Sequence, residues 1–296
     1  MGKRVFLFLL TNLFVVITIS LAVNVLGLNT YLENNGINYS VLAGFCLMWG
    51  MSGSFIALLF SKFIAKLAMR IVMINPLHAT PNEQSLLNLV CVLGKKAGLH
   101  KTPAVGVYRS SEMNAFATGF SKHHALIAVS TGLLSRMNQD ELEAVLSHEI
   151  SHIANGDMVT MTLLQGVVNA FSLFLSRITA YAISIAFSKD QDETISTSHL
   201  SYLLTLIFDI AFTLLGSLLT AYYSRWREFR ADRDGAKLVG APKMISALKR
   251  LQHLDHMTEH HLSAMTALMI ASQSHWFNLF STHPSLEKRI ERLQSL

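Results

Sequence analysis

The chain has 296 residues, of which 51% are hydrophobic and only 15% are charged. Soluble domains carry about 25% charged residues, so this composition argues against an ordinary soluble protein and indicates membrane segments. The net charge of +5 does not indicate a nucleic-acid partner, because the basic residues stand where hydrophobic segments end. With Cys46 and Cys91 as its two cysteines, the chain has no disulfide framework, and a metal must bind histidine and carboxylate side chains.

Two hydrophobic segments open the chain, at residues 5–28 and 41–60. Each is long enough to cross a hydrocarbon core of about 30 Å, and we predict a transmembrane hairpin within residues 1–70. A cleaved signal peptide is the alternative interpretation of the first segment. Basic residues precede the hairpin and close it, whereas its loop carries one acidic residue. Because cytoplasmic loops are enriched in Lys and Arg, both ends are predicted to lie in the cytoplasm.

The next part of the chain predicts a small sheet followed by a capped helix. Short runs rich in Ala, Val, Ile and Phe predict strands at 103–109, 114–118 and 125–130. Asn138, with Glu141 three positions later, resembles a capping box that opens a helix.

That helix contains the sequence His148-Glu149-Ile150-Ser151-His152. Residues four apart share a helix face, so the two histidines can bind one zinc ion while Glu149 acts as the general base. A catalytic zinc site has three protein ligands and keeps its fourth position open. The motif therefore requires one more ligand elsewhere in the chain.

Two further hydrophobic segments, 160–187 and 200–223, are joined by an acidic loop and followed by arginines, which predicts a second hairpin over 160–223. Arg177 and Asp209 fall inside these segments at nearly equal depth. Because a charge in lipid is costly unless it is paired, we predict an ion pair between them. Two charges that face a wet groove are the alternative.

Glu228 is the candidate third ligand, on a helix predicted to continue from the segment 200–223. Asp232 lies one helical turn further on, where it can accept the second imidazole N–H of His148. A solvated helix face is the alternative, because four arginines lie between positions 225 and 233. We predict that residues 71–159 and 224–296 form one zinc peptidase domain in the cytoplasm.

The order of these features resembles the HtpX-type membrane zinc endopeptidases, bacterial heat-shock proteases related to the CAAX prenyl endopeptidases. The resemblance covers essentially the whole chain. Besides the two hydrophobic hairpins, it rests on four sequences: Asn114-Ala115-Phe116-Ala117, the HEISH segment with its continuation Ile153-Ala154-Asn155-Gly156-Asp157, Glu228-Phe229-Arg230-Ala231-Asp232, and Thr282-His283-Pro284.

The resemblance implies roles for further residues. Glu228 would be the third zinc ligand, in agreement with the assignment made from spacing. Asn114, on an edge strand, would contact the substrate backbone, as would His283 and Arg289, with His283 stabilising the oxyanion. The implied fold is α+β and predominantly helical, with a gluzincin-like peptidase domain that contains a small sheet.

The implied function is hydrolysis of misfolded or damaged membrane proteins on the cytoplasmic side of the bacterial inner membrane, with one Zn²⁺ per chain. The resemblance also implies a role in the stress response, contact with lipid and functional overlap with other membrane proteases. An intramembrane protease is disfavoured because Asp140, Glu141 and Glu143 start the motif's helix in water. A non-catalytic zinc-containing scaffold or holdase is the second alternative, and it would fill all four zinc positions with protein ligands.

Overall fold

The computed structural model describes residues 39–188, 194–259 and 281–296, and within them the side chains of residues 40–184, 202–253 and 281–296. The predicted first span, 5–28, lies outside the described residues. The described elements are, in chain order, α1 (Tyr39–Ala68), β1 (Val72–Met73), α2 (Pro81–Lys96), β2 (Ala104–Tyr108), β3 (Ala115–Thr118), a 3₁₀ turn (Lys122–His124), β4 (Leu126–Ser130), α3 (Thr131–Arg136), α4 (Gln139–Asn155), α5 (Asp157–Ser188), α6 (Thr194–Val239), α7 (Ala241–Glu259) and α8 (Leu286–Gln294).

Three of these helices are long and apolar enough to cross a membrane: Ser40–Ala68, Asp157–Ser184 and Tyr202–Val239. They coincide with the predicted spans other than the first. Large apolar side chains along the first half of α6 point outward, including Leu206 and Ile210. An outward apolar face suits a helix that contacts lipid rather than water.

The chain divides into two compact units, whose borders lie at residues 56, 161 and 220. The sequence predicted domain borders at residues 70, 159 and 223. The first unit comprises residues 1–56 and 162–220, and its described part packs α1, α5 and α6 together. A Cβ atom on Gly50 would lie 2.5 Å from the backbone nitrogen of Ala170, so only glycine allows α1 to approach α5 this closely. Ser172 donates a hydrogen bond to the carbonyl oxygen of Phe212 over 3.1 Å and so links α5 to α6.

The predicted ion pair between Arg177 and Asp209 is wrong. Arg177 donates to the carbonyl oxygen of Leu173, one turn earlier on its own helix, over 3.2 Å. Asp209 accepts a hydrogen bond from the Ser176 hydroxyl. Equal depth follows from the helical rise, but a direct contact also needs matching rotation of the two helices, and here Ser176 rather than its neighbour faces Asp209.

The second unit, residues 57–161 and 221–296, contains a mixed four-stranded sheet in the order β1-β2-β4-β3. β2 and β4 are parallel, and the outer pairs β1–β2 and β3–β4 are antiparallel. The strands predicted at 103–109, 114–118 and 125–130 are confirmed as β2, β3 and β4. All five residues of β4 are buried, as expected for a central strand covered on both faces.

Helix α4 packs against β3, α2 and α7. Its first turn forms the predicted capping box: Asn138 accepts from the Glu141 backbone N–H over 2.9 Å, and the Glu141 carboxylate accepts from the Asn138 N–H over 3.0 Å. Gly156 ends the helix with φ 70°, a left-handed conformation that favours glycine, and α5 begins at the next residue. One face of α4 buries Leu146 and Ile150 in the core of this unit.

Candidate metal centre

Helix α4 presents the two motif histidines side by side. His148 and His152 are both buried, with only 8% of each residue exposed. Their rings meet edge to face, and the two Nε2 atoms are 3.1 Å apart. The four-residue spacing therefore places both Nε2 atoms at one point, as the sequence predicted.

Helix α6 brings Glu228 to the same point. It runs unbroken from Thr194 to Val239, so the predicted continuation of the hydrophobic segment into the ligand-bearing helix is correct. The Glu228 carboxylate is 2% exposed, with Oε2 3.4 Å from His148 Nε2 and Oε1 3.3 Å from His152 Nε2.

These three side chains fit a tetrahedral zinc ion. Zinc lies about 2.0–2.1 Å from nitrogen and oxygen ligands, which places the ligand atoms of a tetrahedron about 3.3–3.4 Å apart. The distances among the two Nε2 atoms and the Glu228 oxygens are 3.1, 3.3 and 3.4 Å. Two imidazole nitrogens and a carboxylate are also the donor types that zinc prefers. The three residues could therefore hold one zinc ion.

Each histidine is oriented by a carboxylate on its other ring nitrogen. His148 Nδ1 lies 2.9 Å from Asp232 Oδ1, the contact that the sequence predicted. His152 Nδ1 lies 2.7 Å from Asp157 Oδ2, a contact that the sequence did not predict. A carboxylate that accepts the Nδ1 proton leaves the Nε2 lone pair directed at the metal position.

An arginine holds each of these carboxylates in turn. Arg289 donates from Nε to Asp232 Oδ2 over 2.7 Å and from Nη2 to Oδ1 over 2.6 Å, a bidentate pair. Arg230 donates to Asp157, which is fully buried. The centre thus contains two parallel chains of contacts, which we call the His148 relay (His148, Asp232, Arg289) and the His152 relay (His152, Asp157, Arg230).

The electrostatics of the centre favour a bound cation. Burial by itself raises the pKa of Glu228, but hydrogen bonds from the two histidines and His283 outweigh it and hold the pKa far below the ordinary carboxyl value. Burial lowers the pKa of His148, but its hydrogen bonds to Asp232 and Glu228 prevail and raise it to about 9. Burial raises the pKa of Asp232, yet Arg289 and His148 lower it to about 2. The carboxylates therefore stay ionised and attract positive charge to the point where the Nε2 atoms meet, either as a proton on His148 or as a metal ion that displaces this proton.

Glu149 is half-buried beside the two histidines. Among the side chains that the structure describes, none forms a hydrogen bond or an ion pair with its carboxylate. A general base must be able to reach a water molecule, and a carboxylate without a competing partner meets this requirement.

The other predicted site residues lie at different distances from the cluster. The His283 side chain is 64% exposed, and its Nδ1 is 3.1 Å from Glu228 Oε2, so it borders the ligand cluster. Asn114 is exposed and directly precedes the edge strand β3. Arg289 binds Asp232, and its predicted contact with the substrate backbone stays a prediction.

Asp157 and Arg230 were missed as site residues. Asp157 follows the helix-ending Gly156, so it falls outside the four-residue spacing that identifies His148 and His152. The usable signal was an aspartate directly after a glycine, five residues beyond a ligand. Arg230 lies two residues after Glu228, and only the alternative interpretation, a solvated helix face, accounted for it.

Comparison with known proteins identifies the family. The model of peptidase family M48 matches residues 81–296. The chain is 46% identical to a protease HtpX homolog of Bacillus licheniformis over the full length of both, and 48% identical to one of Neisseria meningitidis over 99% of this chain and all of the relative. These relatives confirm the resemblance that the sequence motifs indicated.

A solved structure shares the fold. The crystal structure of S. mikatae Ste24p superimposes with a TM-score of 0.60 at 17% identity, over 97% of this chain and 66% of that one. The predominantly helical fold with a small mixed sheet is therefore as predicted. With three apolar helices among its described residues and relatives named as proteases, this chain is a membrane metalloprotease, and it belongs to peptidase family M48.

Proposed function

We propose that the chain is a zinc endopeptidase that cuts misfolded or damaged membrane proteins on the cytoplasmic side of the bacterial inner membrane. One observation carries the proposal: His148, His152 and Glu228 converge in a buried cluster while Glu149, next to them, has no partner among the described side chains. A structural zinc site usually has four protein ligands, whereas a catalytic site has three and keeps room for a water molecule beside a base.

The residues of the centre divide the chemistry among them. Zinc held by His148, His152 and Glu228 would polarise the scissile carbonyl and lower the pKa of the attacking water. Glu149 takes the proton from that water and delivers it to the leaving amine. His283, exposed at the edge of the cluster, donates a hydrogen bond to the oxygen on which negative charge develops.

The edge strand supports an extended substrate. β3 ends the sheet order, so among the described residues its outer edge has no ladder partner. The Asn114 backbone is already bonded to Ser130, which leaves its exposed amide side chain to contact a peptide. A peptide that adds to a sheet edge must be unfolded locally, and this requirement favours misfolded or damaged proteins as substrates.

The distribution of basic residues supports a cytoplasmic site. Lys62, Lys66 and Arg70 stand at the end of α1, and Arg225 and Arg227 follow the most apolar part of α6. Lys and Arg are enriched on the cytoplasmic side of membrane segments. The relatives are bacterial proteases. By family likeness, we propose an inner-membrane location and a role in membrane protein quality control that overlaps with that of other membrane proteases.

The decisive experiment compares wild type with Glu149→Ala, both purified in detergent. We expect equal zinc content and loss of casein cleavage in the variant, because Glu149 is not a ligand. Asp140→Ala, which removes an exposed carboxylate from the same helix, is the control and should cleave casein like wild type. Cleavage by Glu149→Ala at the wild-type rate would refute the assignment of the base, and absence of zinc from both proteins would refute the metal centre.

The alternative of a non-catalytic scaffold or holdase requires a fourth protein ligand. Within the described part of the chain the cluster has three. A crystal structure of the zinc-loaded protein distinguishes the two. We expect two histidines, one carboxylate and one water molecule on the metal, and a fourth protein ligand would favour the scaffold.

A further inference from the structure

A cavity lies beside the relay arginines and is lined by none of the three candidate zinc ligands. It measures about 90 Å³ and lies between α6 and α8. One water molecule needs roughly 10–15 Å³ by this kind of measure, so the cavity accommodates a group of several heavy atoms. Four of its nine lining residues are arginines and one is acidic: Arg230, Arg233, Arg289, Arg292 and Asp232.

Two of these arginines have no hydrogen-bonded carboxylate. Arg233 Nε is 3.8 Å from Asp234 Oδ1, beyond hydrogen-bonding distance, and that carboxylate instead accepts from Lys237 over 3.0 Å. The Arg292 guanidinium lies 4.6 Å from the centre of the Phe229 ring, and no ion-pair partner stands beside it in the described residues. The two relay arginines bring their own carboxylates, and Arg233 shares Asp234 with Lys237. Arg292, without an ion-pair partner among the described residues, therefore leaves the cavity with a surplus of positive charge.

Aromatic rings fix the positions of two guanidinium groups at this cavity. The Arg230 guanidinium lies 4.8 Å from the centre of the Trp226 ring, and the Arg292 guanidinium lies 4.6 Å from the centre of the Phe229 ring. Such contacts restrict a flexible side chain before any ligand arrives. A fixed planar guanidinium presents two parallel N–H groups, a geometry that matches the oxygens of a phosphate group.

The position of the cavity along α6 adds a second argument. Trp226 is 45% exposed and lies three residues beyond the apolar segment 200–223, on a helix long enough to span a membrane. Trp and Tyr concentrate at the level of lipid headgroups, and basic residues next to a membrane segment attract anionic lipids.

We infer that this cavity is a phosphate-binding site in which Arg233 and Arg292 are the principal contacts. The phosphate belongs to an anionic lipid headgroup or to a free phosphate compound, and both present the same oxygens to the arginines. The site is separate from the zinc ligands and does not depend on the proposed proteolytic function.

The site nevertheless adjoins the metal centre through the two relays. Arg289 and Arg230 line the cavity, and they also hold Asp232 and Asp157 with hydrogen bonds. A phosphate in the cavity would share these arginines with the carboxylates. Occupancy would therefore change how firmly the two histidines are oriented.

The test is a titration of the zinc-loaded protein in neutral detergent, with the unfolding midpoint as the readout, since a ligand that binds the folded state raises it. One arm adds inorganic phosphate against chloride at constant ionic strength. The other adds short-chain phosphatidylglycerol against phosphatidylcholine. The variant Arg233→Gln/Arg292→Gln should bind with roughly tenfold or more weaker affinity, because it loses two charge-assisted contacts.

The matched control is Lys249→Gln/Lys288→Gln, which removes the same charge from exposed positions on α7 and α8 that do not line the cavity. It should bind like wild type. A response to phosphatidylglycerol alone assigns the site to lipid, and a response to inorganic phosphate without a further lipid effect assigns it to a free phosphate compound. The inference is overturned if neither ligand raises the unfolding midpoint of wild type. It is also overturned if the arginine double variant and the lysine double variant bind the ligand with equal affinity. If the arginine double variant does not fold, the single variants give the same readout.

Discussion

Replacing Asp157 by Asn tests the His152 relay, the part of the metal centre that sequence motifs do not reveal. Asp157 is fully buried and contacts both His152 Nδ1, at 2.7 Å, and Arg230. Asparagine keeps the shape of the side chain but removes its charge, and its single carbonyl oxygen cannot serve both partners equally. His152 then loses the acceptor that fixes its tautomer, and Arg230 loses its counter-charge.

The expected effect follows from these two contacts. Loss of a carboxylate behind a metal-binding histidine weakens metal affinity by about 10–100-fold, which corresponds to about 1.4–2.7 kcal/mol. Because the two relays are built alike, we expect Asp232→Asn to weaken zinc binding by a similar factor. Arg230→Gln should have a smaller effect, since the contact of His152 with Asp157 survives.

Competition with a fluorescent zinc chelator measures the affinity, and cleavage at saturating zinc separates binding from chemistry. If Asp157 only orients His152, the variant should regain most of its cleavage rate once zinc is saturating. Asp234→Asn is the control, because it removes a carboxylate from the same stretch of α6 without touching either histidine. A zinc affinity for Asp157→Asn within about twofold of wild type would refute the proposed role of the relay.

Three further results are expected. Gly50→Ala should lower the free energy of unfolding by about 1–3 kcal/mol, because its Cβ would collide with the Ala170 backbone. Gly44→Ala is the control and should not lower it, since a Cβ there meets nothing within 4 Å. Equal unfolding midpoints for the two variants in detergent would contradict the packing. Asn138→Ala should cost about 1 kcal/mol through loss of the cap on α4, measured by denaturant unfolding, and an unchanged midpoint would show that the cap with Glu141 contributes nothing. Chelation with EDTA should lower the unfolding midpoint reversibly, because bound zinc adds up to about 4 kcal/mol to the free energy of unfolding when its concentration is a thousandfold above its dissociation constant. A midpoint insensitive to EDTA would argue against a bound metal.

The metal ligands could be predicted because helix geometry is local. A spacing of four residues places His148 and His152 on one face whatever surrounds them, and an unbroken α6 carries Glu228 in register with Asp232. The sheet was predicted for a similar reason, since each of its longer strands is a short apolar run between turn residues. β1, with the two residues Val72 and Met73, is too short to show any periodicity and could not be predicted.

The contacts that the sequence did not predict depend on how separate elements pack against one another. Asp157 reaches His152 only because the left-handed turn at Gly156 folds the chain back. Arg289 meets Asp232 from a helix 57 residues further along the chain, and no spacing rule reaches that far. Hydropathy patterns likewise do not show how one helix is rotated relative to another. They therefore predicted that Arg177 and Asp209 lie at similar depth, but not that Ser176, instead of Arg177, contacts Asp209.

The division of the metal centre between α4 and α6 also determines when it can form. Glu228 follows His152 by 76 residues, and most of the intervening chain belongs to the apolar parts of α5 and α6. At a synthesis rate of about 5–20 residues per second, the two histidines wait about 4–15 s for their third ligand. During that interval a nascent chain has the base but no complete metal site. On this order of synthesis, a chain that is still being made is expected to lack a complete zinc site of its own until α6 has been synthesised as far as Glu228.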